Sequence, residues 1–298
     1  MTRDLFRHRM KGRICIFGEV LFDHFAGGQK VLGGAPFNVA WNLQAFGLAP
    51  LTISRVGDDD DGSAIQRAMT AWNMDRTHLQ VDAGLPTGQV LVEIRNGEPG
   101  YEIVHPSAWD AIQAPVRLPQ LKLLYHGSLA LRDEKSRQSL EQVRSHGPGA
   151  VFLDVNLRPP WWRREEVCEW VRRADWVKLN QNELEQLCSA GPGANTAEGF
   201  LKEYGLQGLI LTHGAAGAEL LTEAGDRFEA RPQGICEVVD TVGAGDAFSS
   251  VMLLGLNLDW PLADCLERAQ SFASAVVGQR GATVRDATFY QHFIEQWK

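Results

Sequence analysis

Short apolar runs alternate with amphipathic stretches along most of the chain. The first apolar run, 13–17 (RICIF), ends at Gly18, which is typical of a buried strand that leads into a loop. The alternation predicts an α/β fold whose central sheet is mainly parallel and covered by helices on both faces. The further predicted strands lie at 51–54, 121–125, 150–153, 176–179 and 208–211, and the helices near 62–72, 133–145, 164–173, 182–189 and 196–204.

Two regions depart from this alternation. Residues 88–104 contain two extended runs around Asn96-Gly97, which is a strong hairpin signal and predicts a second, small β-sheet that acts as a lid. From Gly243 onward the pattern is largely helical. The predicted C-terminal helices lie near 244–256, 261–277 and 286–296.

The length allows one large α/β domain or two smaller ones, and no low-complexity linker divides the chain. With 298 residues, 44% hydrophobic and 22% charged, the chain is typical of a globular protein. We expect the domain to cover 13–298, with a lid formed by about 20–32 and 86–106. Residues 1–12 carry several arginines without a following apolar stretch, so we predict a flexible arm and no secretory signal.

The net charge and the cysteines indicate which ligands and which cellular location to expect. The net charge of −8 without a basic stripe argues against nucleic acid and favours a small polar ligand. The five cysteines are scattered and never spaced as CxxC, which indicates reduced thiols and a cytoplasmic location. No apolar stretch is long enough to span a membrane, so we expect no membrane partner.

The segment 240–250 (DTVGAGDAFSS) carries the strongest chemical signal. Gly243 and Gly245 let backbone N–H groups approach a ligand closely, and an apolar helix follows them. Such a helix start is an anion hole that can stabilise a phosphoryl group in transfer. By itself the motif also fits an ordinary capped helix start.

Asp246 stands in the first turn of this predicted helix, where it can accept the proton of an attacking hydroxyl. We expect the positive helix end to stabilise the ionised carboxylate by about 0.3–1 kcal/mol. That effect predicts a weak base, for which positioning matters more than basicity.

Together with 33–38 (GGAPFN), this glycine turn resembles the two signatures of the PfkB (ribokinase-like) carbohydrate kinase family. The resemblance covers about 14–285, and the residues after Arg158 (PPWW) are similar to the fructokinase-like and ketodeoxygluconate-kinase-like branches. Other segments match the family in order, namely 154–158 (DVNLR), 180–183 (NQNE) and 212–214 (THG).

The resemblance implies a ribokinase-like three-layer α/β/α fold with a small β lid, and ATP-dependent phosphorylation of a sugar. Asp246 would be the general base, and Arg158 would meet the transferred phosphate or the far end of the substrate. The implied anion hole consists of the amides of Gly243, Ala244 and Gly245.

The resemblance also implies the binding residues, whose polar groups suit their ligands. The implied sugar-binding residues are Asp23, Gly33, Gly34, Asn38 and Asn156. The implied nucleotide-binding residues are Thr212, Gly214, Gly217 and Gln270. The implied metal-binding residues are Asn180 and Glu183, which organise Mg²⁺ through water, and Asp240, beside a monovalent cation such as K⁺. Asn182 competes with Asn180 as helix cap, which leaves open which of the two faces the metal.

Several functions compete. Fructose is the favoured substrate, while 2-keto-3-deoxygluconate, ribose and nucleosides stay open, as does a catalytically silent sugar-binding relative. No GxGxxG follows the first strand and no Gly-Lys pair occurs, which argues against a dinucleotide-dependent dehydrogenase and a P-loop kinase. An exposed lid face would allow a homodimer.

Overall fold

The computed structural model of the chain describes residues 12–95, 98–188, 196–233 and 238–298. The predicted arm, apart from Gly12, the Asn96-Gly97 turn and Cys236 lie outside the described residues.

The described residues form a nine-stranded main sheet. Its strands are β1 (Arg13–Phe17), β4 (Leu51–Gly57), β5 (Leu79–Asp82), β8 (Leu121–His126), β9 (Ala150–Asp154), β10 (Trp176–Asn180), β11 (Gly208–Thr212), β12 (Ala218–Thr222) and β13 (Arg227–Ala230). The strand order is β13-β12-β11-β10-β9-β8-β1-β4-β5. All neighbouring pairs from β5 to β11 are parallel, and β12 and β13 continue the edge antiparallel.

A second sheet has four strands in the described chain. They are β2 (Leu21–Phe25), β3 (Lys30–Gly33), β6 (Gly88–Arg95) and β7 (Glu98–Ile103), in the order β3-β2-β6-β7. Both predicted extended runs of 88–104 are therefore strands, and the prediction of a small second sheet is confirmed.

Helices cover the main sheet. They are α1 (Ala35–Ala45), α2 (Asp60–Ala71), α3 (Glu134–Arg144), α4 (Arg164–Val171), α5 (Gln181–Leu187), α6 (Ala197–Tyr204), α7 (Ala244–Leu258), α8 (Leu262–Val277) and α9 (Ala287–Gln296). The predicted helix at 182–189 ends two residues earlier, because Cys188 adopts an extended conformation.

Alternate residues of each central strand pack into different cores. Ile14 and Ile16 belong to the cluster that contains α1, α7, α8 and α9, whereas Cys15 and Phe17 belong to the cluster on the other face. All four side chains are nearly or fully buried. A parallel strand buried on both faces reads as a continuous apolar run, which is why these strands could be predicted.

Polar residues collect at the carboxyl edge of the main sheet. β9 ends at Asp154, β10 at Asn180 and β11 at Thr212, while Glu19 follows β1. Ligands of open α/β sheets bind at this edge. The short sequence between β1 and β2 brings the second sheet to the same edge.

Of the helices in the described part of the chain, none combines the length and apolar character that a membrane crossing requires.

Candidate active site

Helix α7 begins in the glycine turn. Gly243 has a φ of 83°, and a Cβ added there would lie 2.2 Å from the Cβ of Ala282, so glycine is required at this position. A Cβ at Gly245 would lie 3.4 Å from the Nζ of Lys178. Within the described residues, no backbone acceptor pairs with the N–H groups of Gly245 and Asp246. These free donors at a helix start fit a phosphate oxygen.

Asp246 is buried, with 9% of its surface exposed, in the first turn of α7. The Nδ2 of Asn38 on α1 donates a hydrogen bond to its Oδ2 at 2.7 Å. The structure thus joins two predicted site residues that are 208 positions apart. The Oδ1 of Asn38 is buried and has no hydrogen-bond partner among the described residues.

The expectation that Asp246 is a weak base is wrong. Burial raises the pKa of Asp246 to about 6, and the charge of Asp154 acts in the same direction. The hydrogen bond from Asn38 and the charges of Lys178 and Arg158 lower the pKa, but they do not offset burial. Removal from water outweighs a helix end here, since desolvation shifts a buried carboxyl by more than a helix end does.

A buried ion pair lies next to the first turn of α7. The Nζ of Lys178 on β10 donates to both carboxylate oxygens of Asp154 at 2.9 and 2.8 Å. The Oγ of Ser249 on α7 donates to Asp154 at 2.7 Å, and the hydroxyl of Tyr125 lies 3.4 Å from it. This network ties β9, β10 and α7 together where the anion hole begins.

Glu183 connects two predicted motifs. Its Oε1 accepts from the N–H of Leu157 at 2.8 Å and its Oε2 from the N–H of Asn180 at 2.9 Å. The Oδ1 of Asn180 accepts from the N–H of Glu183 at 3.0 Å, so Asn180 and not Asn182 caps α5. With these oxygens already engaged by backbone groups, the residues fit a Mg²⁺ ion that keeps its water shell.

Arg158 and Asn156 lie in the segment that Glu183 holds. Arg158 is exposed and close enough for its charge to lower the pKa of Asp246. Asn156 is half-buried and has a φ of 41°. This left-handed conformation is strained for residues other than glycine, and such residues are common at functional sites.

Asp23 and the two glycines of the GGAPFN segment come together beside the small sheet. The carboxylate of Asp23 on β2 lies 3.5 Å from a Cβ built at Gly33. At Gly34, with a φ of 105°, a Cβ would lie 2.7 Å from the backbone oxygen of Glu19. The pKa of Asp23 is raised to about 6, mainly by burial. The charge of Asp240 also raises this pKa, while the charge of His24 lowers it.

Asp240, which was predicted to lie beside a monovalent cation, joins the segment before α7 to the turn at Gly281. Its Oδ1 accepts from the N–H of Val242 at 2.9 Å and its Oδ2 from the N–H of Gly281 at 3.1 Å. The carboxylate of Asp240 is an oxygen donor, the type of ligand that hard cations bind.

The predicted nucleotide residues lie farther along the sheet. Thr212 ends β11, Gly214 starts a short 3₁₀ turn and Gly217 begins the return to β12. A Cβ at Gly217 would lie 2.1 Å from the backbone oxygen of Ala230, so the turn is tightly packed. Gln270 is buried on α8, and its amide donates to Ser274 on the same helix.

A cavity of about 830 Å³ lies beside the turn that follows β11. Its lining includes His213, Glu219, Arg227 and Arg231 but not Asp246 or Asn38. We place the chemistry at the start of α7 rather than in this cavity, because the buried carboxylate, the free amides and the glycine turn meet there.

Three residues near the site, Glu19, Arg132 and Lys178, were not found from the sequence. Lys178 is one polar residue in an apolar strand, and Glu19 stands in a loop beside the more obvious Asp23. The guanidinium carbon of Arg132 lies 3.9 Å from the ring centre of Trp109, and Arg132 forms two hydrogen bonds with Asp110. The signal for Glu19 was its position just after β1 at the carboxyl edge, and the signal for Lys178 was a charged residue inside an otherwise apolar strand.

Comparison with known proteins agrees with this geometry. Aminoimidazole riboside kinase of Salmonella typhimurium is 32% identical over 271 residues, covering 85% of this chain and 84% of that protein. A fructokinase of Klebsiella pneumoniae is 31% identical over 266 residues, covering 83% and 85%. The crystal structure of fructokinase from Vibrio cholerae O395 in its fructose, ADP and calcium ion bound form has a TM-score of 0.82 and 26% identity, and covers 95% of this chain and 99% of that one.

The fold and the site therefore define a phosphotransferase of the ribokinase-like α/β type. The model of the pfkB family carbohydrate kinases matches residues 15–288, and the chain belongs to this family. The predictions of the family, of the fold and of an ATP-dependent carbohydrate kinase are confirmed.

Proposed function

We propose that the chain transfers the γ-phosphoryl group of ATP to a hydroxyl group of fructose. The observation that carries the proposal is the buried carboxylate of Asp246, held by Asn38 at the start of a helix with free amide donors. Asp246 accepts the proton of the attacking hydroxyl, and the amides of residues 243–245 stabilise the charge on the transferred group. The fructose of the related Vibrio cholerae structure and the Klebsiella pneumoniae fructokinase support the choice of sugar.

The charge of the sugar end supports a neutral substrate. Asp246 and Glu19 place two carboxyl groups within electrostatic reach of each other. A sugar acid such as 2-keto-3-deoxygluconate would add a third, and like charges at short range are unfavourable. A neutral ketohexose instead supplies hydroxyl donors to these acceptors.

Mg²⁺ is the proposed metal, held through water by Asn180 and Glu183. When bound, it would neutralise charge on the phosphates of ATP. K⁺ is the proposed monovalent cation beside Asp240. The related structure that contains ADP also contains a calcium ion, which supports the binding of a cation by this chain.

The proposal also covers the lid, the oligomeric state and the location of the protein. The small sheet, with about 20–32 and 86–106, is the proposed lid of a kinase domain that covers 13–298. Exposed Phe25 and Tyr101 on this sheet support a homodimer formed through it. The four cysteines that the structure describes are free and buried, which supports a reducing, cytoplasmic location.

A coupled assay of ADP release with ATP and Mg²⁺ tests the substrate. Fructose, ribose, 2-keto-3-deoxygluconate and aminoimidazole riboside form the panel, and we expect the highest kcat/KM with fructose. The identity to aminoimidazole riboside kinase makes that riboside the second candidate. Reaction with the riboside or the acid alone would contradict the fructose assignment, and binding of a sugar without ADP release would indicate a silent relative.

A further inference from the structure

Glu19 lies in the loop between β1 and β2, at the carboxyl edge of the main sheet. The backbone around it is closely packed: a Cβ at Gly34 would meet the oxygen of Glu19 at 2.7 Å, and one at Gly88 would meet the oxygen of Val20 at 2.9 Å. The position of Glu19 is therefore defined on both sides by glycines that have no room for a side chain.

The carboxylate of Glu19 is buried and incompletely paired. Only 4% of the residue is exposed, and its Oε2 has no hydrogen-bond partner anywhere in the described part of the chain. Burying a carboxyl oxygen without a partner is unfavourable, and native proteins retain such groups mainly where they serve a function.

The charged neighbours of Glu19 belong to the active site. The charges that act on it are those of Asp246, Arg158 and Arg132. The pKa of Glu19 is raised to about 7, mainly by burial. The charge of Asp246 acts in the same direction, while a hydrogen bond to the residue's own backbone and the charges of the two arginines act against it. Glu19 thus lies within electrostatic reach of the proposed base and of the arginine proposed to meet the phosphate.

Arg132 does not neutralise Glu19 through a direct contact. Its Nε and Nη2 donate to Asp110 at 2.7 and 2.8 Å, and Nη2 also donates to the backbone oxygen of Val104 at 2.7 Å. Trp109 and Trp161 cover the two sides of the guanidinium at 3.9 and 4.4 Å. The charge of Arg132 is therefore largely balanced by Asp110, which leaves Glu19 to be paired by a ligand.

Asn38 offers a second acceptor of the same kind. Its Nδ2 is used by Asp246, while its Oδ1 is buried and unpaired within the described residues. Two unpaired acceptors near one proposed base are complementary to a molecule with several hydroxyl donors.

Resting on the proposed sugar kinase function, we propose that Glu19 is a specificity-determining residue that accepts a hydrogen bond from a second hydroxyl of the sugar. This hydroxyl differs from the one that Asp246 deprotonates. The contact selects a polyhydroxylated neutral sugar and disfavours analogues that lack this hydroxyl or carry a carboxylate near it.

Deoxy analogues of the sugar that the native enzyme phosphorylates test the contact. With native enzyme we expect one analogue to lose about 10- to 100-fold in kcat/KM, the effect of a hydrogen bond to a charged group. In Glu19→Ala, we expect kcat/KM for the parent sugar to fall by a similar factor, mainly through a higher KM. For the sensitive analogue, kcat/KM should be nearly the same with Glu19→Ala as with native enzyme. An equal loss for every analogue, or no loss for the parent sugar, would overturn the proposal.

Two further variants distinguish a contact between Glu19 and the sugar from a structural role of Glu19. Glu19→Gln keeps the shape and one acceptor, so its kcat/KM should fall between native enzyme and Glu19→Ala, with a melting temperature no lower than native. Asp75→Asn removes a carboxylate that pairs with Arg13 at the other end of β1 and should leave the analogue pattern unchanged. A Glu19→Gln enzyme that melts lower and reacts equally poorly with all sugars would show a structural role instead.

The proposed function can fail separately. A native enzyme that phosphorylates a sugar other than fructose contradicts the fructose assignment, while the analogues of that sugar still test Glu19. A native enzyme that phosphorylates no sugar contradicts both.

Discussion

At the scale of single residues, Asp246 shows how burial determines the pKa of a carboxyl group. A position in the first turn of a helix favours an ionised carboxylate, and this local effect is all that the sequence could offer for predicting the pKa of Asp246. The sequence could not predict that α1, β9 and β10 would exclude water around it, because this depends on contacts between distant segments. Burial raises the pKa to about 6, which gives a better base than an exposed aspartate.

The raised pKa predicts how stability depends on pH. Between the unfolded pKa near 4 and the folded pKa of about 6, the native state binds more protons than the unfolded state at this site, so its contribution to stability falls as pH rises. Asp246→Asn removes this effect. We expect the variant to gain on the order of 2 kcal/mol over native enzyme at pH 8 and close to nothing at pH 4.

Urea unfolding of both proteins at the two pH values measures this difference. Groups on which Asp246 does not act, such as His126, are present in both proteins and cancel in the comparison. Glu19 loses the charge of Asp246 in the variant, which lowers its pKa and adds to the gain in stability at pH 8. A gain in the free energy of unfolding that does not change with pH would contradict the raised pKa of Asp246.

At the scale of elements, the strands and helices were predictable because their patterns are local. β1 matches its predicted bounds, and most other elements differ by a few residues at their ends. The buried pair of Lys178 and Asp154 was not predictable, because each residue stands in or after an otherwise apolar run and the partner lies on another strand. Only the parallel pairing of β9 with β10 brings them together.

The ion pair of Lys178 and Asp154 predicts that removing its lysine lowers the free energy of unfolding. Lys178→Met leaves the carboxylate of Asp154, 2% exposed, without its cation. We expect a loss of about 3–5 kcal/mol in the free energy of unfolding, and recovery of most of it in the double variant with Asp154→Asn.

Lys122→Met provides the control for this prediction. It removes a lysine that pairs with Asp259, whose side chain is 49% exposed, and should cost about 1 kcal/mol or less. Equal losses for both lysine variants, or no recovery in the double variant, would show that the buried pair does not stabilise the start of α7.

At the scale of the whole molecule, the site is assembled from both sheets and from both halves of the chain. Asn38 and Asp246 were both predicted, but their hydrogen bond follows only from the packing of α1 against α7. The motif order identified the family, whereas Glu19 and Arg132 lie outside the motifs that carried the resemblance. The sequence therefore offered more signals for the proposed phosphate end than for the proposed sugar end.

The central claim is that Asp246 is the base of a sugar kinase. The most direct test is the turnover of Asp246→Asn with fructose, ATP and Mg²⁺, together with sugar binding by isothermal titration calorimetry. We expect kcat to fall by about 10²- to 10⁴-fold while the sugar affinity is mostly retained, because asparagine keeps the size of the side chain but cannot accept the proton. A variant that turns over at the native rate would contradict the account.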